Sequence, residues 1–124
     1  MRFAKYRGVV ALLCGLAAGA TTTGANAQSV EQFYKGRQIT IIVGTAPGGI
    51  NDISARFVAR HLGQYIPGNP TIVVQNQPGA GGIASANRAY NVFERDGSVI
   101  AKFERAVPML AIQGDANANF DPLK

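Results

Sequence analysis

The sequence predicts an α/β protein built on a parallel sheet. Three short runs rich in β-branched residues, at positions 39–43, 71–74 and 98–103, alternate with segments whose apolar residues recur at helical spacing. Each of the first two runs leads into a glycine-rich turn and then a helix. Because strands that alternate with helices pair in parallel and carry the helices on their faces, we predict a parallel β-α-β-α-β core.

The N-terminus has the layout of a secretory signal peptide. Positions 1–7 carry three basic residues, positions 9–20 are small and apolar, and Ala25-Asn26-Ala27 is a small-x-small cleavage site. The apolar run of 12 residues is shorter than the roughly 20 that a membrane span needs. We therefore predict a signal peptide at residues 1–27 and one mature domain over residues 28–124.

The composition of the mature part excludes several classes of site. Without the leader, 9 basic residues stand against 7 acidic ones, so the net charge falls from +5 to +2. The basic residues are dispersed, and we expect no nucleic-acid partner. The only cysteine, Cys14, lies in the leader, so the mature part has no disulfide, thiolate metal site or thiol nucleophile. Lipidation of Cys14 is disfavoured because the preceding Leu13 is bulky.

The first strand and helix follow a polar lead-in at residues 28–36. The near-continuous apolar run at 39–43 is typical of a strand buried on both faces of a parallel sheet. After the glycine turn, Asn51 or Asp52 is a candidate helix cap. Apolar residues at three-and-four spacing predict the helix: Ile53, Phe57, Val58, Leu62 and Tyr65. Two prolines and a glycine at residues 67–70 should end it.

The second half of the mature chain repeats the order of strand, glycine-rich turn and helix, and then adds a third strand and a short helix. A strand at 71–74 precedes a helix marked by Ile83, Ala86, Tyr90 and Phe93. Residues 95–97 form a turn before the third strand, and Pro108 with Gly114 predicts a short helix between them. Three strands are fewer than the five or six of an average sheet, so we predict an incomplete fold.

The two glycine-rich turns are candidate anion sites. We define the first glycine turn as residues 44–52 and the second as residues 79–82. Backbone N–H groups at a helix N-terminus lack intrahelical partners, the helix dipole favours negative charge there, and glycine admits a ligand close to the backbone. Two such turns on neighbouring strands could hold one carboxylate or phosphate. An ordinary role as tight turns between strand and helix is the alternative.

Three side chains near these turns could contact a ligand. Asn51 could donate to a ligand oxygen, and Asp52 could accept from a hydroxyl, an amine or a bridging water, although both could simply cap the helix. Arg105 could pair with a second carboxylate or lie solvated at the surface. His61 has no second histidine or cysteine nearby and is expected in a surface or packing role.

Catalytic and cofactor motifs are largely missing, and we predict no enzyme, metal or cofactor. No serine is framed as Gly-x-Ser-x-Gly, no paired carboxylates flank the glycine turns, and neither turn ends in Gly-Lys-Ser/Thr.

One motif indicates a different function, the binding of a dinucleotide. Residues 79–84 fit G-x-G-x-x-A after a strand, and Glu104 ends the next strand, where a dinucleotide-binding fold places its ribose-binding acid. A dinucleotide-binding oxidoreductase fragment is therefore the alternative function, although Pro78 interrupts the usual entry.

The mature chain resembles the extracytoplasmic solute receptors of tripartite tricarboxylate transporters, the TctC or Bug family. The likeness runs from about residue 34 to residue 124. Its most specific parts are residues 43–52, residues 74–82 with Pro78-Gly79-Ala80-Gly81-Gly82, and Asp96-Gly97 before the third strand.

This resemblance implies the N-terminal part of a type II periplasmic-binding-protein lobe, which captures a small carboxylate such as a di- or tricarboxylate. It also implies a periplasmic location, a membrane permease as partner and a monomer. The implied ligand-binding residues are Ala46, Gly48, Gly49, Asn51 and Asp52 in the first turn and Gly79, Ala80, Gly81 and Gly82 in the second. Ile50 stands where the family often has a third glycine, and Asn51 where it often has a hydroxyl residue. Such receptors are considerably longer, so a fragment, a truncated frame or a non-functional remnant are alternatives.

Overall fold

The computed structural model describes residues 28–123, so the predicted signal peptide, Cys14 and Lys124 lie outside the described residues. Three strands form one parallel sheet in the order β2-β1-β3. The strands are β1 (Gln38–Val43), β2 (Thr71–Asn76) and β3 (Val99–Lys102), and the helices are α1 (Val30–Tyr34), α2 (Ile50–Leu62), α3 (Ile83–Asn91) and α4 (Val107–Ile112). The predicted α/β class with a parallel β-α-β-α-β core is confirmed.

The central strand β1 forms the middle of the core. Ile39, Ile41, Ile42 and Val43 are each at most 3% exposed, as expected for a strand covered on both faces. Ile41 pairs with Val74 of β2 on one side and with Ile100 of β3 on the other. Since successive side chains of a strand point to opposite faces, Ile41 and Val43 share one face and Ile42 lies on the other.

Helix α2 packs on the face of the sheet that carries Ile41 and Val43. Its contact side consists of small residues, Ala55 and Ala59, which pack with Ile41, Val43, Ile72 and Val74. The apolar residues that predicted the helix lie largely elsewhere, and four of them are exposed: Ile53, Phe57, Val58 and Tyr65. The helical periodicity was a correct signal for the helix but does not mark its buried side, because alanines allow the helix to approach the sheet more closely.

Residues 28–36, expected to be a polar lead-in, contain a short helix at residues 30–34, α1, which was not predicted. The Ser29 hydroxyl accepts a hydrogen bond from the Gln32 N–H at 3.1 Å, and the Gln32 side chain accepts one from the Ser29 N–H at 3.4 Å. This reciprocal pair is a capping box, and Ser-x-x-Gln was the sequence signal for it. The Tyr34 hydroxyl donates to the Gly97 carbonyl at 3.3 Å and so ties α1 to the turn before β3.

The remaining elements follow the sequence closely. Helix α2 ends at Leu62 and continues as one 3-10 turn before the prolines. Ile83 and Ala86 are buried on α3, β3 is shorter than predicted, and Pro108 lies in the first turn of α4. Within residues 28–123, no helix has the length and apolar character needed to cross a bilayer.

Candidate functional site

The two glycine turns leave the same edge of the sheet and contact each other. In the register of the sheet, Val43 is paired with both Asn76 and Lys102, so the three strands end at one level. A Cβ on Gly44 would stand 3.6 Å from the Gly82 Cα. The turns therefore lie on neighbouring strands at the carboxyl edge, which is where open α/β sheets bind ligands.

The first glycine turn leads directly into α2, and its capping differs from the prediction. The residue that caps α2 is Gly49, while Asn51 and Asp52 lie inside the first helical turn. The predicted cap at Asn51 or Asp52 was therefore two or three residues too late. Gly48 has a φ of +86°, which strains any other residue, and a Cβ there would enter open space. Residues 46–49 of this turn are exposed.

Asp52 is buried and holds the first glycine turn in place. Its Oδ2 accepts the Gly48 N–H at 2.9 Å, and the Arg56 Nε donates to Oδ1 at 3.0 Å and to Oδ2 at 3.1 Å. Arg56 Nη2 also donates to Asn76 Oδ1 at 2.9 Å, and Asn76 Nδ2 donates to the Thr45 carbonyl at 3.1 Å. This network joins the turn to the end of β2. Both carboxylate oxygens of Asp52 already accept hydrogen bonds from the protein. A direct contact between Asp52 and a ligand stays a prediction.

We expect the Asp52 network to make stability depend on pH in the acid range. The hydrogen bonds from Arg56 and from the Gly48 N–H lower the pKa of Asp52 from 3.8 to about 2. A depressed pKa stabilises the folded state at pH values above 3.8, and this contribution is lost as the pH falls through about 2. Urea unfolding measured between pH 6 and about 2 should therefore show a falling midpoint, and Asp52→Asn should flatten this dependence.

A second carboxylate contributes to the same titration and provides the control. Hydrogen bonds from Ser98 and the nearby Arg37 lower the pKa of Asp96, which lies before β3 and away from the glycine turns. The comparison should therefore be made in an Asp96→Asn background. An unchanged acid dependence after Asp52→Asn in that background would contradict the proposed network.

The second glycine turn has an exposed glycine, Gly81, next to a buried one, Gly82. Gly79, Ala80, Gly81 and Gly82 all have positive φ values, of +153°, +46°, +64° and +96°. The Gly82 N–H donates to the Gly79 carbonyl at 2.8 Å, and Gly82 caps α3. Gly82 is buried, whereas Gly81 is exposed and a Cβ on it would meet nothing within 4 Å. The accessible backbone of this turn is thus centred on Gly81.

Side chains from three elements meet between the turns. The Asn51 amide donates a hydrogen bond to the Glu104 Oε1, and the Glu104 Cβ lies 4.0 Å from the point where a Cβ on Gly82 would stand. The Ser85 hydroxyl, on α3, is buried against Gly44 and has no hydrogen-bond partner among residues 28–123. The same holds for the Thr45 Oγ1 and the Gln77 Oε1. Sequence reasoning missed Ser85, and it considered Glu104 only for dinucleotide binding. A buried serine in the first turn of α3 gives no sequence signal of its own.

The structure brings most of the predicted site residues to one edge of the sheet. Asp52 and Gly82 are buried there and Asn51 is half-buried, whereas residues 46–49 and 79–81 are exposed. Arg105 is exposed in the turn after β3, next to Glu104. His61 is exposed and packs against the Phe57 ring at 5.3 Å. Among residues 28–123, no three His, Cys, Asp or Glu side chains are grouped to hold a metal.

Comparison with known proteins finds similarity to UPF0065 proteins. The chain is 30% identical over 122 residues to the UPF0065 protein in the gbd 5' region of Cupriavidus necator, a match that covers 98% of this chain and 35% of that protein. It is 36% identical over 76 residues to the UPF0065 protein in the tcbD-tcbE intergenic region of Pseudomonas sp. strain P51, covering 61% and 22% of the two chains. No family model matches the chain.

The third relative carries the Bug name. The chain is 44% identical over 62 residues to protein BugT of Bordetella pertussis, with 50% of this chain and 18% of that protein covered. The chain thus spans about a third or less of the length of the relatives that it matches. The resemblance stated from the sequence is confirmed by this similarity to UPF0065, or Bug-family, proteins.

Proposed function

We propose that this chain is the carboxylate-binding part of a periplasmic, non-enzymatic solute receptor of the Bug type. A ligand carboxylate accepts hydrogen bonds from backbone N–H groups of both glycine turns, at the N-termini of α2 and α3. The observation that carries this proposal is the placement of both turns in contact on one edge of the sheet. Helix dipoles and unpaired N–H groups favour an anion at that position.

The proposal extends to the wider transport system. An exported chain that binds a small carboxylate would deliver it to membrane permease subunits of a tripartite transporter. Because the backbone around Gly48 and Gly81 is exposed, a ligand held by these turns alone would keep much of its surface in water. We therefore expect weak binding by this chain and strong binding only where further polypeptide closes over the ligand.

Substitutions at the two exposed glycines test the proposal. Gly48→Ala and Gly81→Ala each place a methyl group where the ligand would approach, because a Cβ at either position projects into open space. Each should weaken binding of succinate or citrate at least about tenfold, because the methyl group would keep the carboxylate away from the neighbouring N–H donors, and a hydrogen bond to a charged group contributes about 1.5–3 kcal/mol. Binding is measured by titration calorimetry or NMR on the chain from residue 28.

Gly36→Ala is the matched control. Gly36 has a φ of +73° and open space around its Cβ, so the backbone strain is similar, but it lies before β1 at the opposite edge of the sheet. It should leave carboxylate binding unchanged. Equal affinities in all three variants and the unsubstituted chain would reject the site.

The strand order disfavours the dinucleotide alternative. In the dinucleotide-binding fold, the strand that carries the ribose-binding acid lies next to the strand that carries the glycine turn. Here the second glycine turn follows β2, Glu104 follows β3, and β1 separates the two strands. A shift in melting temperature on addition of NAD would favour that alternative.

A further inference from the structure

Glu104 occupies a position in the site that the anion-binding proposal does not explain. It follows β3, is partly buried, and accepts a hydrogen bond from Asn51, the second residue of α2. Its Cβ also lies close to Gly82 of the second glycine turn. One carboxylate side chain therefore borders both turns.

The strand order makes this position the expected ligand crevice. The chain passes from β1 to β2 on one side of β1 and then crosses to β3 on the other side. Open α/β sheets bind ligands at such a switch point, beyond the carboxyl ends of the two strands whose connections leave in opposite directions. Asn51 follows β1 and Glu104 follows β3, so their hydrogen bond spans this crevice.

Within residues 28–123, Glu104 forms no ion pair. The other acid at this edge, Asp52, forms an ion pair with Arg56 at 3.0 Å, and the second ion pair of residues 28–123, Arg37–Asp96, lies at the turn before β3. Glu104 takes part in neither, and its hydrogen-bond partner Asn51 is neutral. A carboxylate ligand bound to the turns would be repelled by Glu104, because like charges at short range disfavour each other.

We propose that Glu104 makes this site select a carboxylate ligand that also carries a protonated amine, such as an amino acid, over a plain dicarboxylate. The inference rests on the proposed carboxylate site. The ammonium group donates to the Glu104 carboxylate while the ligand carboxylate accepts from the backbone N–H groups of the turns. The cation then lies between two anions, and the repulsion becomes an attraction.

Aspartate and succinate are the matched probes, because they share two carboxylates on the same carbon chain and differ by the amine. NMR titration at pH 7 should give aspartate at least about tenfold tighter binding than succinate, the factor for one charge-assisted hydrogen bond. Glu104→Gln should abolish this preference. Glutamine keeps a carbonyl oxygen for Asn51 and removes only the charge, and retained succinate binding shows that the variant is folded.

Each other outcome decides against one of the two proposals. Succinate binding as tight as aspartate in the unsubstituted chain overturns the role of Glu104 and leaves the carboxylate site standing. An equal gain for both ligands in Glu104→Gln also overturns it, because Glu104 would then only repel anions. If neither ligand shifts any turn resonance, the carboxylate site itself fails. Should Glu104→Gln not fold, the preference of the unsubstituted chain decides alone.

Discussion

Gly82→Ala is expected to destabilise the fold by about 2–5 kcal/mol. Two costs add: a φ of +96° is a left-handed conformation that costs an L-residue about 1–2 kcal/mol, and overpacking adds about 1–3 kcal/mol. The overpacking arises because the new Cβ would stand 3.1 Å from Cγ2 of Val107, which is 0% exposed. Urea unfolding followed by circular dichroism measures the loss.

Gly81→Ala provides the neighbouring control for this effect. Its φ is +64° and its Cβ would meet nothing, so we expect only the conformational cost of about 1–2 kcal/mol. Equal losses at Gly81 and Gly82 would contradict the close packing of the second glycine turn against α4. The two glycines therefore have different roles. Gly82 lets the second glycine turn pack against α4, and Gly81 leaves the backbone of that turn accessible.

Ile41→Ala is expected to cost about 2–5 kcal/mol, the range for truncating a buried isoleucine. Ile41 is 3% exposed, pairs with both neighbouring strands, and packs in one cluster with Val43 and Ala55. Its removal would open a cavity under α2 at the centre of the sheet. The change in the free energy of unfolding is measured by urea titration.

Ile53→Ala is the same chemical change on the exposed side of α2. Ile53 is 57% exposed, so we expect a change within about 0.5 kcal/mol, which is typical of surface substitutions. A large loss at Ile53 would mean that the apolar side of α2 is covered in solution. Sequence periodicity alone assigns Ile53 to the core, so this pair of variants separates the observed packing from the simpler expectation.

Local sequence patterns predicted the strands and the turns well, for physical reasons. The apolar run of β1 must be buried on both faces, and Pro-Gly and Gly-Gly pairs restrict where the chain can turn. Parallel pairing then follows from the alternation of strands and helices, and it places both turns on one edge. The family resemblance rested on these two turns together with Asp96-Gly97, and it was confirmed.

The packing of α2 and the side-chain network could not be predicted from local patterns. Ala55 and Ala59 face the sheet because they are small, which a scale of apolar character does not reveal. The link from Asp52 through Arg56 to Asn76 joins residues 20 or more positions apart, and the bond between Asn51 and Glu104 joins residues 53 positions apart. Such contacts depend on the strand order, which local sequence patterns do not predict.

The central claim is that both glycine turns bind one carboxylate together, and amide chemical shifts test it most directly. In a titration of the ¹⁵N-labelled chain from residue 28 with succinate and with aspartate, the amide signals of the exposed glycines Gly49 and Gly81 should move along one isotherm with a single Kd. The Gly36 signal should stay in place. Shifts confined to one turn, or different Kd values for the two turns, would contradict the claim.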